Sequence, residues 1–299
     1  MHFGITVLPD PPYTDLVRLF KQAEDNGFEI GWTYDSHVLW QDPYPLLTAA
    51  ALGTERIKLG MCVTNPGTRE PTVTASAHAT LHDISGGRMV FGVGRGDSAR
   101  RYIGLQPVKV AEYEAATAMM KDLMNGRKAE WNGKELQLTW VRDDLPEVPF
   151  YLAGYGPKAL AVAGRHADGV IIQLADPEII QWIMGLARAA AEQAGRDPDA
   201  LEPIVCAPAV LMDDMAAARD ASRWFPAMVS NHVFDLLQRY DESETADRFS
   251  VLGTVDQHIA KLKELEAIGV KHFNIYLMAG DRERTIDVYG EQIIPAFAG

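Results

Sequence analysis

Several short stretches bring together residue types that can do chemistry. Asp35 and His37 follow the apolar run Glu29–Tyr34, and an imidazole near a carboxylate can give or take a proton near neutral pH. Gly154-Tyr155-Gly156-Pro157-Lys158 lies between an apolar run and a helical one. Glycines there let backbone N–H groups approach an anion, a helix N-terminus favours negative charge, and Lys158 adds a cation. The same spacing also makes an ordinary strand-to-helix turn with proline at the first helical position. Gly92-Val93-Gly94-Arg95-Gly96-Asp97 has the look of a phosphate loop, but its third glycine is not at the offset of a dinucleotide fingerprint. Arg95 and Asp97 equally read as a surface ion pair. His78 and His82 are four apart on a helix, yet no third ligand is in view and no metal is expected. Cys62 has no base beside it and reads as a small buried residue.

These residues share a position: each follows, or lies within, a strand–helix alternation. His2–Leu8, Glu29–Tyr34, Ile57–Val63, Arg88–Val93, Pro149–Ala153, Gly169–Leu174, Pro203–Leu211 and Val270–Met278 read as buried strands. Between them lie helices over Thr14–Asn26, with Thr14 or Asp15 as cap, Pro43–Leu52, Pro71–Leu81, Val110–Met124, Pro157–Arg165, Glu178–Ala194 and Thr254–Ile268. A last helix covers about 282–294. The segment 126–139 reads as a small hairpin turning at Asn132-Gly133. Asp213–Tyr240 reads as a long helical stretch broken by Pro226, and Asp241–Asp247 as a solvated connection between helices, with a lid or oligomer contact as the alternative.

Eight strands alternating with helices in a 299-residue chain predict one (β/α)8 TIM-barrel domain over residues 1–299, with an extra helical insertion before the last strand. A doubly wound sheet is the other option, but no composition break divides the chain. In a barrel the strand ends line one pocket, so Asp35, His37, Cys62, Asn65, Asp97, Tyr155 and Gln173 would share a rim.

The net charge of −13 argues against a nucleic-acid partner. Two cysteines cannot build a disulfide framework and suit a reducing compartment. Met1–Val7 runs straight into Pro9-Asp10-Pro11-Pro12, which is no signal peptide, and no apolar run has membrane-spanning length. A cytoplasmic protein with a small-molecule substrate and no membrane partner is the expectation.

The pattern LGxxVTNPxTRxPxxxAxxxATLxxxSGGRxxxGxGxGD, here Leu59–Asp97, resembles the bacterial luciferase-like superfamily. It is most similar to the branch of the methylenetetrahydromethanopterin reductases, which use the deazaflavin coenzyme F420. Trp32-Thr33-Tyr34-Asp35-Ser36-His37, Ala153-Gly154-Tyr155-Gly156-Pro157 and Ala167-Asp168-Gly169 add to the likeness. The resemblance implies a (β/α)8 barrel and hydride transfer between F420 and a small organic substrate. An FMN-dependent monooxygenase of the same fold is the alternative. It also implies a dimer or tetramer.

Position by position, the resemblance places a non-prolyl cis peptide at Cys62-Val63, bulging against the deazaflavin ring, with Asn65 beside it. It places Asp97 near the reacting face, Asp35 and His37 among the polar contacts to ring or substrate, and His37 or Asp97 as the proton-handling group. Ala153, Tyr155, Gly156 and Pro157 match the loop that cradles the cofactor phosphate. Two departures bear on the substrate more than on the cofactor. Glu70 follows Arg69 where the reductases commonly have histidine, and Asp35 and His37 are separated by Ser36 rather than adjacent.

Overall fold

Short apolar strands that each end in a proline- or glycine-containing turn can pair only with the next such strand, once the helix between them has folded back. The computed structural model, which describes residues 1–225, 242–278 and 280–298, carries this out around a full circle. The chain runs β1 (His2–Thr6), α1 (Tyr13–Asp25), β2 (Ile30–Thr33), α2 (Pro43–Gly53), β3 (Lys58–Thr64), α3 (Pro71–Ile84), β4 (Met89–Val93), α4 (Asp97–Arg101), α5 (Val110–Met124) and the hairpin β5 (Ala129–Trp131) and β6 (Lys134–Leu136). It continues through β7 (Phe150–Ala153), α6 (Pro157–His166), β8 (Gly169–Ile172), α7 (Pro177–Gln193), β9 (Glu202–Leu211) and α8 (Met215–Ser222). The last part is α9 (Glu242–Phe249), β10 (Val251–Gly253), α10 (Val255–Ala267), β11 (His272–Tyr276) and α11 (Arg282–Val288).

Eight of these strands form a closed parallel barrel in the order β11-β1-β2-β3-β4-β7-β8-β9, and β9 pairs with β11 to close it. The fold is the expected (β/α)8 barrel. Its interior is packed. Trp32 lies across it, and the room for its indole comes from Gly60, where a Cβ would stand 2.6 Å from the Val90 carbonyl and 2.8 Å from the ring. Asn274, Thr6 and Cys206 form the next interior level, with the Asn274 amide donating to the Thr6 hydroxyl and, at 3.4 Å, to the Cys206 sulfur.

The helices follow their start and stop signals with some differences. α2 and α3 begin at prolines and are capped by Asp42 and Glu70. α10 opens with a full capping box between Thr254 and Gln257. α1 differs from expectation: Pro12 is its N-cap, so neither Thr14 nor Asp15 caps it. The hairpin turns at Asn132 and Gly133, both at positive φ (52° and 71°), the geometry that favours Asn-Gly.

The polar segment expected as a connection is in fact helical from Glu242 onward. α9 docks on the start of α7 through Arg248, which pairs with Asp176 and Glu178, and on α8 through the Arg219–Asp247 pair. Residue 241, Pro226 and the rest of 226–240 lie outside the described residues. The three-residue strand β10 extends the sheet from the far end of β9 and was not expected. No helix among the described residues is long and apolar enough to cross a membrane.

Candidate active site at the barrel mouth

The C-terminal ends of β2, β3 and β4 build one side of the mouth. β3 carries a non-prolyl cis peptide at Cys62–Val63, and its register against β4 breaks between Met61 and Thr64. The bulge faces Gly94: a Cβ there would stand 2.8 Å from the Val63 side chain. Glycine at 94 is therefore what lets the strand after the bulge approach β4. Asn65 is buried next, and its side-chain carbonyl accepts the Gly67 N–H at 3.0 Å. Gly96, at φ +77°, starts α4 and passes so close that a Cβ would meet Asn65 at 2.8 Å. Arg100 of α4 ties the two loops together by donating to the Gly67 and Gln106 carbonyls.

Asp35 is fully buried beneath this rim. One of its oxygens accepts from the Thr64 hydroxyl at 2.7 Å and from Arg69 at 2.6 Å, and the other has no hydrogen-bond partner. Arg69 also pairs with Asp42 and lies over the Tyr44 ring, 4.6 Å from its centroid. Burial works against the Arg69 charge, but Asp35 and Asp42 outweigh it and hold its pKa above the usual value. Sequence reasoning did not single out Arg69 as a partner of Asp35. Ser36 reaches across to Ser98, with 3.2 Å between hydroxyls. His37 stands on the exposed turn after β2 and forms no hydrogen bond or ion pair with the described residues. Asp97 is half-buried and pairs with Arg101, not with Arg95, which instead donates to the Val108 carbonyl. The expected Arg95–Asp97 pair is thus replaced by a local one, since Asp97 and Arg101 are four apart on one helix.

The opposite side comes from β7, β8 and β11. Gly156 opens α6 without a side-chain cap, and nothing lies within 4 Å of where its Cβ would be. Pro157 and Lys158 form the exposed first turn. The Ala153–Pro157 loop thus presents an open helix N-terminus. Tyr155, however, turns its side chain inward: its hydroxyl donates to the Gln173 side-chain carbonyl at 3.2 Å and accepts the Gln173 backbone N–H at 3.2 Å. Gln173 in turn donates to the Tyr276 hydroxyl at 2.8 Å. The phenols of Tyr155, Tyr276 and Tyr34 are all pushed up by burial.

Cys62 touches Cys206 across the barrel, sulfur to sulfur 3.8 Å, and both are free thiols. Phe225 seals this cluster from the side, edge-on to Tyr276 at 5.8 Å. The two histidines considered for a metal differ in their surroundings. His78 is buried edge-on against Phe91, where burial lowers its pKa to about 3, and His82 bonds the Pro146 carbonyl. Glu70 caps α3 and accepts the Trp131 indole N–H at 2.8 Å from the hairpin.

A family model described as luciferase-like monooxygenase matches residues 1–272. The chain belongs to the luciferase-like family. It is 31% identical to a 5,10-methylenetetrahydromethanopterin reductase of Archaeoglobus fulgidus over 99% of both chains. It is 27% identical to an F420-dependent glucose-6-phosphate dehydrogenase of Nakamurella multipartita, over 94% of this chain and 92% of that one. The structure of the coenzyme F420-dependent tetrahydromethanopterin reductase of Methanopyrus kandleri superposes with a TM-score of 0.80 at 27% identity, covering 99% of each chain. As a luciferase-like protein the chain is an enzyme of the oxidoreductase type, and its barrel mouth is where the family's chemistry must be sought.

The site fits a deazaflavin in two places. The bulge at Cys62–Val63, with Gly94 opposite, would offer the Val63 side chain as an apolar contact for a planar ring. The open N-terminus of α6 at Gly156 gives free backbone donors and room for a phosphate.

Proposed function

We propose that the chain is an F420-dependent oxidoreductase that passes a hydride between the deazaflavin and a small organic substrate at the barrel mouth. The observation that carries the proposal is the cis peptide at Cys62–Val63, set against Gly94 at the C-terminal end of β3. Relatives named for F420 among both the curated proteins and the solved structures support the same cofactor.

The deazaflavin would supply the hydride chemistry. The protein's residues bind and orient. The Ala153–Pro157 loop would hold the phosphate through backbone donors, with Lys158 as a nearby cation. Val63 and Asn65 would set the ring's position. Asp35, held by Thr64 and Arg69, has one buried oxygen without a hydrogen-bond partner, the candidate acceptor for a polar group of ring or substrate. Asp97 and His37 remain the proton-handling candidates. The half-buried Asp97 at the β4 end is better placed to work out of bulk water than His37 on its exposed turn.

Thermal melting with saturating F420 and with FMN tests the assignment, because a ligand that binds only the native state must raise its melting temperature. F420 should raise it and FMN should not. A response to FMN alone would overturn the proposal. Gly156→Asp sharpens the test. Its side chain enters open space, so the fold should melt within about 2 °C of wild type. The new carboxylate should weaken F420 binding by about 100-fold or more, since like charges in close contact cost several kcal/mol.

A further inference from the structure

Side chains on the helix-facing side of β4 and β7 stand in pairs. Phe91 and Phe150 are register partners with ring centroids 4.8 Å apart, and Phe91 also meets His78 of α3. Val93 and Leu152 are the next pair on that side. Side chains alternate along a strand, so the pair after it is Arg95 and Gly154. Gly94, between Val93 and Arg95, looks the other way: a Cβ there would meet Val63 at 2.8 Å and Ala153 at 3.7 Å. A Cβ on Gly154 would stand 2.8 Å from the Ala159 side chain in the first turn of α6, which is the helix side again. Arg95 thus leaves β4 toward the helices, about one strand spacing (~4.8 Å) from the glycine that leads into α6.

There Arg95 is anchored at one point. Its backbone carbonyl accepts the Val108 N–H at 2.9 Å, and its Nε donates to the Val108 carbonyl at 2.7 Å. The Tyr113 hydroxyl donates to the Val93 carbonyl at 3.0 Å, and burial pushes that phenol up while the nearby Arg95 charge opposes the rise. The two terminal nitrogens of Arg95 have no hydrogen bond and no carboxylate among the described residues. Neither is sealed from solvent. Neighbouring arginines are committed: Arg69 to Asp35 and Asp42, Arg101 to Asp97, and Arg165 to Glu114. In a chain with a net charge of −13, the half-buried Arg95 keeps a fork whose counter-charge the described residues do not supply.

Two terminal guanidinium nitrogens side by side match the two oxygens of a carboxylate. Beside them the uncapped start of α6 suits a phosphate. The two flavin-type cofactors differ just there. FMN ends at its phosphate, whereas the phosphate of F420 is a diester that continues into lactyl and glutamyl units bearing carboxylates. We infer that Arg95 is a specificity-determining residue that takes a carboxylate carried beyond the phosphate. The site then selects a ligand with two anionic groups in series, the phosphate on α6 and the carboxylate on Arg95. That the ring is a deazaflavin rests on the function proposed above; the two-anion site does not.

Fluorescence titration with two deazaflavins tests this. One is F420 with its glutamyl tail, and the other is 5-deaza-FMN, which ends at the phosphate. Arg95→Gln should weaken F420 binding about 10-fold, the worth of a charge-assisted hydrogen bond. Binding of 5-deaza-FMN should change less than about 2-fold, because its contacts lie elsewhere. Arg95→Lys keeps the charge without the fork and should fall between wild type and Arg95→Gln for F420. Loss of the Val108 contact acts on both ligands alike, so the ratio of the two affinities reports on the carboxylate. Equal weakening of both ligands, or no weakening of F420, overturns the inference.

A second arm dispenses with the ring. Calorimetry compares phospholactyl-glutamate with the same molecule whose carboxylates are amidated. Wild-type protein should bind the carboxylate form about 10-fold more tightly, and Arg95→Gln should abolish the difference. Equal binding of the two forms by wild-type protein overturns the inference, and this outcome needs no variant that folds. If wild-type protein binds neither deazaflavin, the proposed function fails while the ring-free arm still decides the role of Arg95.

Discussion

At the N-terminal end of the barrel the Arg88 guanidinium is enclosed by neutral acceptors. It donates to the Ser85, Ala51, Thr54 and Ile57 carbonyls and to the Thr54 hydroxyl, at 2.7–3.1 Å. Beside it, one oxygen of the buried Glu24 carboxylate receives the backbone N–H groups of Glu55, Arg56 and Ile57. At the C-terminal end Arg69 lies between two carboxylates, and Asp35 keeps one oxygen without a partner. The Tyr34 and Tyr44 hydroxyls are also buried there without a hydrogen bond of good geometry. Backbone groups hold the first end shut, since they cannot leave. Side chains hold the second, where Asp35, Tyr34 and Tyr44 leave polar atoms without a hydrogen bond; Glu24 at the first end also has one oxygen without a hydrogen bond, but the Lys21 ammonium stands 3.5 Å from it. If the proposed function holds, stability is concentrated at one end and binding capacity at the other.

Removing the Arg88 side chain should have the largest effect on stability. Arg88→Ala strips four buried carbonyls of a donor, and we expect a loss of about 3–5 kcal/mol in denaturant unfolding. F420 affinity, measured where the variant is still folded, should match wild type. A fall in affinity as large as the fall in stability would erase the division between the ends.

Glu24 comes next, and it makes a statement about pH. Burial alone would raise its pKa, but three backbone donors outweigh it and hold the carboxyl down at about 2, against 4.5 when free. The folded pKa is the depressed one, so the contribution is complete above about pH 4.5 and is lost as pH falls toward 2. The difference amounts to about 3 kcal/mol. Glu24→Gln should lose most of this at pH 7 and flatten the acid limb of the stability curve between pH 4.5 and 2. An unchanged acid limb would show that Glu24 is not the group that titrates there.

How much of this was legible in the sequence depends on how local each signal is. Asn132-Gly133 marked the hairpin because the turn needs positive φ at both positions, and nothing distant can change that requirement. Pro43 and Pro71 marked helix starts for similar reasons. The Cys62–Val63 bulge came from family resemblance; the residues themselves, a cysteine and a valine in an apolar run, give no sign of it. Arg69 was passed over because its partner Asp35 lies 34 residues away, and only barrel closure brings them together. The Gln173–Tyr276 bond spans 103 residues and carries no sequence pattern at all. Tyr155 sat inside a loop expected to face a phosphate, yet its side chain points the other way. Neighbours in a loop share a backbone course, not a side-chain direction. β10 is three residues long and too short for periodicity to show.

The finest probe of the comparison is Asp35→Asn. Thr64 can still donate to the amide oxygen, and Arg69 keeps Asp42, so the structural loss should be small, about 1–2 kcal/mol by thermal melting. The functional loss should be larger. The substitution removes a negative charge held beneath the mouth and replaces an unpartnered acceptor with an amide that can place an N–H there. We expect kcat/KM for F420-dependent turnover to fall at least about 10-fold, a cost of about 1.4 kcal/mol in the transition state. Arg88→Ala should show the opposite profile, with stability hit hard and turnover per folded molecule unchanged. If Asp35→Asn also costs mainly stability, then Asp35 is fixed structure like Glu24. The open oxygen would then be an ordinary packing gap, and the group awaiting a ligand would have to be found elsewhere on the rim, beginning with Asp97.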